Sequence, residues 1–294
     1  MQLSIVIASH NTRELLRNCL VSIRDDRPPF RHEAIVVDNA SRDRSAALVS
    51  SEFPRVRLIK NRINRGFAAA CNQGAAVASG RWLLFLNSDT LVHPGTLEKA
   101  VRFMERHPEA GLMGCRAFSE DGRVQPAAFP FPAPLRIFAW VAGLNRILKI
   151  SRFRDHDLQR TPGFVLGAFM IISRDLFARV DRFDERFFFY GEDVDLCQRV
   201  RKTGLKIYYS PEMSITHFGS GSTRHSLTSA GWYIASNLRL YEKYRGAGAG
   251  RRLRRWLKLA VGLRFVTEFL FSPVGYRQRI RDIRRLYESI AEGQ

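Results

Sequence analysis

Short apolar runs punctuate the first part of the chain, at 3–8, 34–37, 56–59, 82–86 and 111–115, each bounded by polar or turn-forming residues. Runs of that length and setting read as buried strands. Between them the spacing becomes helical. Leu15, Leu16, Cys19, Leu20 and Ile23 make one stripe, opened by Asn11-Thr-Arg-Glu14 in the form of a capping box. A small-residue helix runs from Asn64-Arg-Gly66-Phe67 to Ala78, and 97–104 is helical again. This alternation predicts an α/β domain with a mostly parallel sheet and helices covering both faces. Ligands of such sheets bind where strands end. The run Trp82-Leu-Leu-Phe-Leu86 breaks into Asn87-Ser88-Asp89, which sets a carboxylate at one of those ends.

The regularity stops near Glu120-Asp-Gly122, a hairpin-turn signal. Residues 126–134 carry four prolines, and 135–150 are apolar but interrupted by Arg136, Arg146 and Lys149. Insertions of this kind cover a site or touch a partner. A strand is expected over 164–172, passing through Gly167, then a helix over 174–180. The aromatic run Phe187-Phe-Phe-Tyr190 is expected to be buried. After Gly191, Glu192, Asp193 and Asp195 open a helix whose dipole favours negative charge. Strands at 205–209 and 213–217 lead to Gly219-Ser-Gly-Ser222. The first domain is therefore placed at 1–220, and 221–294 is read as a helical, basic extension.

Charge changes the picture of that extension. Of 294 residues, 47 are Lys or Arg and 28 Asp or Glu, a net charge of +19, and 245–294 holds twelve basic against four acidic residues. Nucleic acid, an anionic membrane and anionic substrates are the candidate partners. The basic residues lack interleaved stacking aromatics or a nucleic-acid module, so no nucleic-acid partner is expected. Residues 256–273 are mostly apolar, but Lys258, Arg264 and Glu268 argue against a membrane span. With basic 251–255 and 277–285 on either side, the segment suits a helix lying on an anionic cytoplasmic leaflet. A helix packed on the catalytic domain is the alternative. Cys19, Cys71, Cys115 and Cys197 have no metal or redox spacing, which points to buried thiols in a reducing compartment. The N-terminus enters a strand without a basic n-region, so no secretory signal is expected. The expected location is cytoplasmic, peripheral on the inner face of the inner membrane. The sequence carries no expectation of oligomeric state.

The candidate chemistry sits at strand ends. Asp89 offers the hard oxygen that Mg²⁺ or Mn²⁺ prefers, or it caps the following helix. Asp38 ends the 34–37 run, where it can accept the imide N–H of uracil or thymine; Asp38, Ser41 or Asp43 could equally serve as a helix cap. Arg65 and the small residues around Gly66 suit close approach to a phosphate. Asp193, beside the aromatic run, is the first choice for a general base that takes a hydroxyl proton, with Glu192 as the alternative. Asp195 is read as a helix N-terminal charge. His217, after a short apolar strand, is either a ligand or a structural hydrogen-bonder.

Taken in order, Ser4-Ile-Val-Ile-Ala-Ser-His-Asn11, Val36-Val-Asp-Asn-Ala-Ser-Arg-Asp43, Asn64-Arg-Gly-Phe-Ala-Ala-Ala-Cys-Asn72, Leu86-Asn-Ser-Asp89, Gly191-Glu-Asp-Val-Asp-Leu-Cys-Gln-Arg199 and His217 resemble the glycosyltransferases of family 2. The resemblance covers about residues 2–220 and is strongest to rhamnosyltransferase-like members. It implies the GT-A fold, a nucleotide-sugar donor carrying dTDP or UDP, and a glycan or lipid-linked glycan acceptor. It implies donor binding by Ala8 (through its backbone), His10 (where relatives stack an aromatic on the base), Asp38, Arg65, Gly66 and Ser88. Asp89 and His217 would hold Mg²⁺ or Mn²⁺, and Asp193 would act as base in a single inverting displacement. One departure stands out: the family's Asp-x-Asp begins here with Asn87, which removes one charged ligand. Two other classes compete. A sugar nucleotidyltransferase would open with a Gly-rich phosphate loop, which Ala8-Ser-His-Asn-Thr-Arg13 is not. A non-catalytic nucleotide-sugar or glycan-binding module at the membrane would not need Asp38, Asp89, Asp193 and His217 together.

Overall fold

The computed structural model describes residues 1–144, 158–219 and 227–271. They group into two compact units, one of residues 1–130, 158–188 and 192–219, the other of 131–144, 189–191 and 227–271. The chain runs β1 (Leu3–Ser9), α1 (Arg13–Asp26), β2 (His32–Asp38), α2 (Ser45–Glu52), β3 (Arg57–Lys60), α3 (Gly66–Ala76) and β4 (Trp82–Asn87). It continues with β5 (Thr90–Val92), α4 (Thr96–Arg106), β6 (Ala110–Phe118), β7 (Val124–Gln125), β8 (Ala128–Phe129) and α5 (Pro134–Val141). Then follow β9 (Phe164–Val165), β10 (Phe169–Ser173), α6 (Arg174–Arg179), α7 (Glu192–Lys202), β11 (Lys206–His217), α8 (Leu227–Arg245) and α9 (Ala247–Phe271).

The first unit is built on a sheet of order β3-β2-β1-β4-β10-β6-β11-β5, with β7 paired to β6. Strands β3, β2, β1 and β4 are mutually parallel, as the alternating pattern requires. Antiparallel β10 then separates β4 from β6 and makes the sheet mixed. Leu3, Ile5, Val6 and Ile7 of β1 and Leu83–Leu86 of β4 are fully buried, which explains their unbroken apolar runs. Phe85 packs against Phe177 and Phe183 with ring centroids 4.9 and 4.8 Å apart. All four cysteines are buried and unpaired, and burial pushes the Cys19 and Cys197 thiols up to about 12.

Register positions the chemistry. Ser9 lies opposite Asp38 and Ala8 opposite Asn87, so the ends of β1, β2 and β4 form one row. Several local expectations differ. The residues Asn11–Glu14 form no capping box: Thr12 is the N-cap residue without a side-chain cap bond, and Asp43 accepts from the Arg13 N–H instead. The expected strand over 164–172 is broken into β9 and β10 around Gly167. Of the aromatic run, Phe187 is buried but Phe188 is 39 % exposed. Phe189 and Tyr190 belong to the second unit, where Phe189 packs on Trp232.

The second unit is helical. Ile137 and Val141 of α5 pack with Ile234, Leu238 and Tyr241 of α8 and with Leu253, Leu257 and Val261 of α9. Part of the proline-rich insertion thus shares a core with the C-terminal helices. Gly246, at φ +81°, makes the turn between α8 and α9, a conformation that glycine adopts without a Cβ penalty. No described helix is long and apolar enough to cross a membrane. Arg146, Lys149, residues 220–222 and the basic stretch 277–285 lie outside the described residues.

Candidate active site

The row of strand ends carries three linked clusters. The first surrounds Asp38, the last residue of β2, which is 4 % exposed. Its Oδ2 accepts the Ser41 N–H, three residues on, at 3.2 Å, while its buried Oδ1 has no hydrogen-bond partner. Asp43, not Asp38, accepts the Ser45 N–H at the start of α2, at 3.0 Å. One oxygen of Asp38 is therefore structural, and the other has no partner among the described residues. His10 follows β1, and its Nδ1 donates to the Asn39 carbonyl at 2.8 Å, which fixes its ring beside Asp38. The two loops are held together by the Asn11 N–H on Ser41 Oγ and the Arg42 N–H on Asn11 Oδ1.

Asn39 joins this cluster to the start of α3. Its Nδ2 donates to the Gly66 carbonyl at 2.9 Å, and its Oδ1 accepts from Asn61 Nδ2 and the Arg65 N–H. The close approach expected at Gly66 is filled by protein. Gly66 has φ +82°, and a Cβ there would stand 2.5 Å from the Phe188 carbonyl oxygen. That oxygen accepts the Phe67 N–H at 3.0 Å. The glycine is required by this backbone crossing. Arg65 is exposed.

The second cluster lies at the ends of β4 and β11. Ser9, Thr12 and Ser88 form a chain of buried hydroxyls, with oxygens 3.0 and 2.9 Å apart, which ties the β1 end to the Asn87-Ser88-Asp89 turn. Strand β5 pairs with β11 so that Thr90 opposes His217, and the Asp89 carbonyl accepts the Phe218 N–H. These bonds bring Asp89 Oδ1 and His217 Nε2 to 3.5 Å. Asn87 Nδ2 stands 3.3 Å from the same Nε2. Gln125 bonds His217 twice, its Nε2 to the His217 carbonyl at 2.7 Å and its Oε1 to Nδ1 at 3.2 Å. No group of three or more His, Cys, Asp or Glu able to hold a metal occurs among the described residues. Asp89 and His217 are one hard oxygen and one imidazole, a donor pair that fits a divalent cation completed by substrate oxygens and water.

The third cluster opens α7. Asp193 is buried, with Oδ2 accepting the Gly167 N–H at 3.2 Å and Oδ1 accepting the Val194 N–H at 2.8 Å. The next residue, Ala168, accepts the Asn87 N–H at 3.1 Å. The dipeptide Gly167-Ala168 therefore holds the carboxylate on one side and the Asp89 turn on the other. Glu192 is buried with Oε2 unpartnered, and burial, reinforced by the charge of Asp193, raises its carboxyl well above the ordinary value. Asp195 is pinned by Arg199 at 2.7 Å, and Arg199 also donates to the Val180 carbonyl, so this acid holds the helix in place. A cavity of about 580 Å³ opens at the opposite end of the sheet, beside Met1, Trp82 and Arg174; none of the clustered acids lines it.

Thr12, Asn39 and Gln125 are the polar residues that sequence reasoning missed. Asn39 lies inside one of the quoted motifs, next to Asp38, and its adjacency was the available signal. Gln125 had none, because its partner is 92 positions away.

A sheet of this order with carboxylates at its C-terminal edge is the fold of the GT-A glycosyltransferases. The mannosyltransferase PcManGT from Pyrobaculum calidifontis, solved in complex with GDP-Man and Mn²⁺, superposes with a TM-score of 0.58 at 14 % identity, over 99 % of this chain and 84 % of that one. GalNAc-T7, solved with UDP, GalNAc and Mn²⁺, gives 0.57 at 16 % identity, over 80 % of this chain and 47 % of that one. Residues 4–180 match the sequence model of Glycosyl transferase family 2, and the chain belongs to that family. It is a glycosyltransferase with rhamnosyltransferase relatives. The N-acetylglucosaminyl-diphospho-decaprenol L-rhamnosyltransferase of Mycobacterium tuberculosis is 27 % identical over 93 % of this chain and 92 % of its own length. Rhamnosyltransferase WbbL of Escherichia coli K12 is 24 % identical over 82 % of this chain and 93 % of its own.

Proposed function

We propose that the protein transfers L-rhamnose from dTDP-rhamnose, or a related sugar from another dTDP or UDP donor, to a lipid-linked glycan with inversion at the anomeric carbon. The observation that carries this reading is the Gly167-Ala168 dipeptide, which fastens Asp193 and the Asp89 turn to consecutive residues. Asp38 Oδ1 accepts the imide N–H of the pyrimidine, and His10 lies against the base. Ala8 and Ser88 contribute to the pocket floor, and Arg65 meets the diphosphate from the exposed side. Gly66 serves indirectly, by letting the chain at Phe188 pass. Asp89 and His217 hold Mg²⁺ or Mn²⁺, which when bound neutralises the departing diphosphate. With only two protein ligands, cation binding should be weak until the nucleotide supplies phosphate oxygens.

Asp193 takes the proton of the acceptor hydroxyl as that oxygen bonds to the anomeric carbon and the bond to the diphosphate breaks. Its two backbone N–H bonds fix the carboxylate's orientation for that transfer. Glu192, whose carboxyl is raised well above the ordinary value by burial and by the charge of Asp193, is the alternative base.

The acceptor reading draws on the mycobacterial relative, named for an N-acetylglucosaminyl-diphospho-decaprenol substrate. The second unit supports a membrane location. Along α9, Arg251, Arg252 and Arg255 are exposed beside Trp256 (50 % exposed), Leu259 (68 %) and Leu263. Apolar side chains on turn-spaced positions flanked by arginines suit the surface of an anionic leaflet. Binding to anionic but not zwitterionic vesicles, lost when Trp256 and Leu259 become Ser, tests that placement.

The catalytic reading is tested by donor turnover. The full chain is incubated with dTDP-, UDP- and GDP-sugars, a polyprenyl-diphosphate glycan, and Mn²⁺, Mg²⁺ or chelator, and nucleoside diphosphate release is followed. Release from one pyrimidine donor that chelator abolishes is the expected result. Asp193→Asn should lose transfer by about 10²–10⁴-fold while still binding donor. Normal turnover by that variant would remove Asp193 from the base role.

A further inference from the structure

We propose that Gln125 is a positioning residue that sets the tautomer of His217 and so keeps the Nε2 lone pair open to a divalent cation. This rests on the reading of Asp89 and His217 as cation ligands. Gln125 ends β7, in the hairpin that pairs antiparallel with β6, where it opposes Ala117. Its amide is oriented by the His217 main chain. A carbonyl oxygen can only accept, so the Gln125 nitrogen must be the atom 2.7 Å from it. The amide oxygen is then the atom 3.2 Å from His217 Nδ1. An amide oxygen also only accepts, so Nδ1 carries the hydrogen and Nε2 carries the lone pair. Asn87 is consistent with this, since its Nδ2, 3.3 Å away, donates to that lone pair in the free protein.

The consequence is at Asp89. A neutral imidazole in water favours hydrogen on Nε2, and an Nε2–H here would point at Asp89 Oδ1, 3.5 Å away. That hydrogen bond would occupy both cation donor atoms with each other. Gln125 prevents it by making Nδ1 the bonded nitrogen. Residues that fix a ligating histidine in this way are worth about 10–100-fold in metal affinity. In the free protein the Asn87 amide donates to that lone pair, and it would have to give way when a cation binds.

The test uses the full chain, with two readouts. The His217 tautomer is read from ¹⁵N–¹H side-chain correlation spectra in alkaline buffer, the signal being assigned by its loss in His217→Gln. Mn²⁺ affinity, alone and with dTDP, is read by electron paramagnetic resonance of the free ion. Gln125→Met keeps the stem and removes both bonds, so it should shift hydrogen to Nε2 and weaken Mn²⁺ binding about 10–100-fold. Gln125→Glu keeps an acceptor for Nδ1–H but replaces the donor to the carbonyl with a second acceptor, so the side chain shifts off the carbonyl while it should retain the tautomer and bind Mn²⁺ better than Gln125→Met. An unchanged tautomer or unchanged Mn²⁺ affinity in Gln125→Met overturns the proposal. Equal weakening in both variants also overturns it, because the carbonyl bond alone would then account for the effect. If the parent chain binds no Mn²⁺ even with dTDP, the cation reading fails, and the tautomer spectra still decide what Gln125 does.

Discussion

Asp38→Asn separates the structural oxygen of Asp38 from the one assigned to the base. In the free protein Oδ2 is committed to the Ser41 N–H and Oδ1 is buried without a partner. The amide of the variant must keep its oxygen on Ser41, because an amide NH₂ cannot accept that hydrogen. Its Nδ2 then takes the place of Oδ1 and meets the N3–H of thymine or uracil donor to donor. A hydrogen bond to a charged acceptor contributes about 1.5–3 kcal/mol, and 1.4 kcal/mol is about tenfold in affinity. The facing donors add desolvation without a bond, so the loss should sit at the upper end, about 100-fold for dTDP. Cytosine presents a lone pair at N3, so CDP should instead gain one neutral bond of about 0.5–1.5 kcal/mol, a several-fold improvement. Titration calorimetry with dTDP, UDP and CDP in the presence of Mn²⁺ measures all three. Thermal stability of the free variant should be equal to or above the parent's, because the buried carboxylate oxygen without a partner gives way to an uncharged group. If dTDP affinity is unchanged, or if dTDP and CDP weaken together, the base does not sit on Asp38.

Gly66→Ala should destabilise the first unit by about 2–4 kcal/mol, from a left-handed backbone costing about 1–2 kcal/mol and displacement of the Phe188 carbonyl from the Phe67 N–H. Urea unfolding checks it, and a change below about 0.5 kcal/mol would show that the crossing relaxes. Glu192→Gln should raise stability at neutral pH. The folded carboxyl keeps its proton above the ordinary value of 4.5, whereas the unfolded chain releases it as pH rises past that value. Stability of the parent therefore falls from about that pH up to the folded value, by at most about 1.4 kcal/mol per pH unit. The gap between variant and parent in thermal midpoint should widen from pH 4 upward, and a gap independent of pH would refute the neutral-carboxyl account.

The parallel half of the sheet was legible because β1, β2 and β4 are buried on both faces, and their apolar runs needed no partner to be recognised. The acids at their ends were legible for the same reason, since a strand's last residue is where the pattern stops. Elements whose existence depends on a distant partner were not. Strand β5 is three residues long and exists through its pairing with β11. Asp43 caps α1 from a loop 30 positions away, so the Asn11–Glu14 signature was locally correct and tertiary contact overrode it. Helix α5 read as an irregular insertion because its apolar face is satisfied only by α8 and α9. Gln125 belongs with these: a single polar residue in a hairpin carries no periodicity, and its role exists only once His217 lies beside it.

A strand pattern failed where the candidate site is assembled. Residues 164–172 read as a single run, yet β9 pairs with β8 in a separate two-stranded sheet and the chain joins the main sheet only at Phe169. A continuous strand would have committed the Gly167 N–H to ladder pairing. The break frees it for Asp193, while the Ala168 carbonyl stays on Asn87. A Cβ at 167 would lie 3.7 Å from the Asp193 Cβ and Oδ2, ordinary van der Waals contact, so it is the backbone N–H and not the lack of a side chain that serves Asp193. Backbone polar groups are obligatory bonding partners, so withdrawing one from the sheet has to be matched by another acceptor, and here that acceptor is the carboxylate assigned to proton transfer. Local rules are broken at functional sites because the fold there satisfies a second requirement. At Gly167 that requirement is to hold a carboxylate and the Asn87-Ser88-Asp89 turn on consecutive residues.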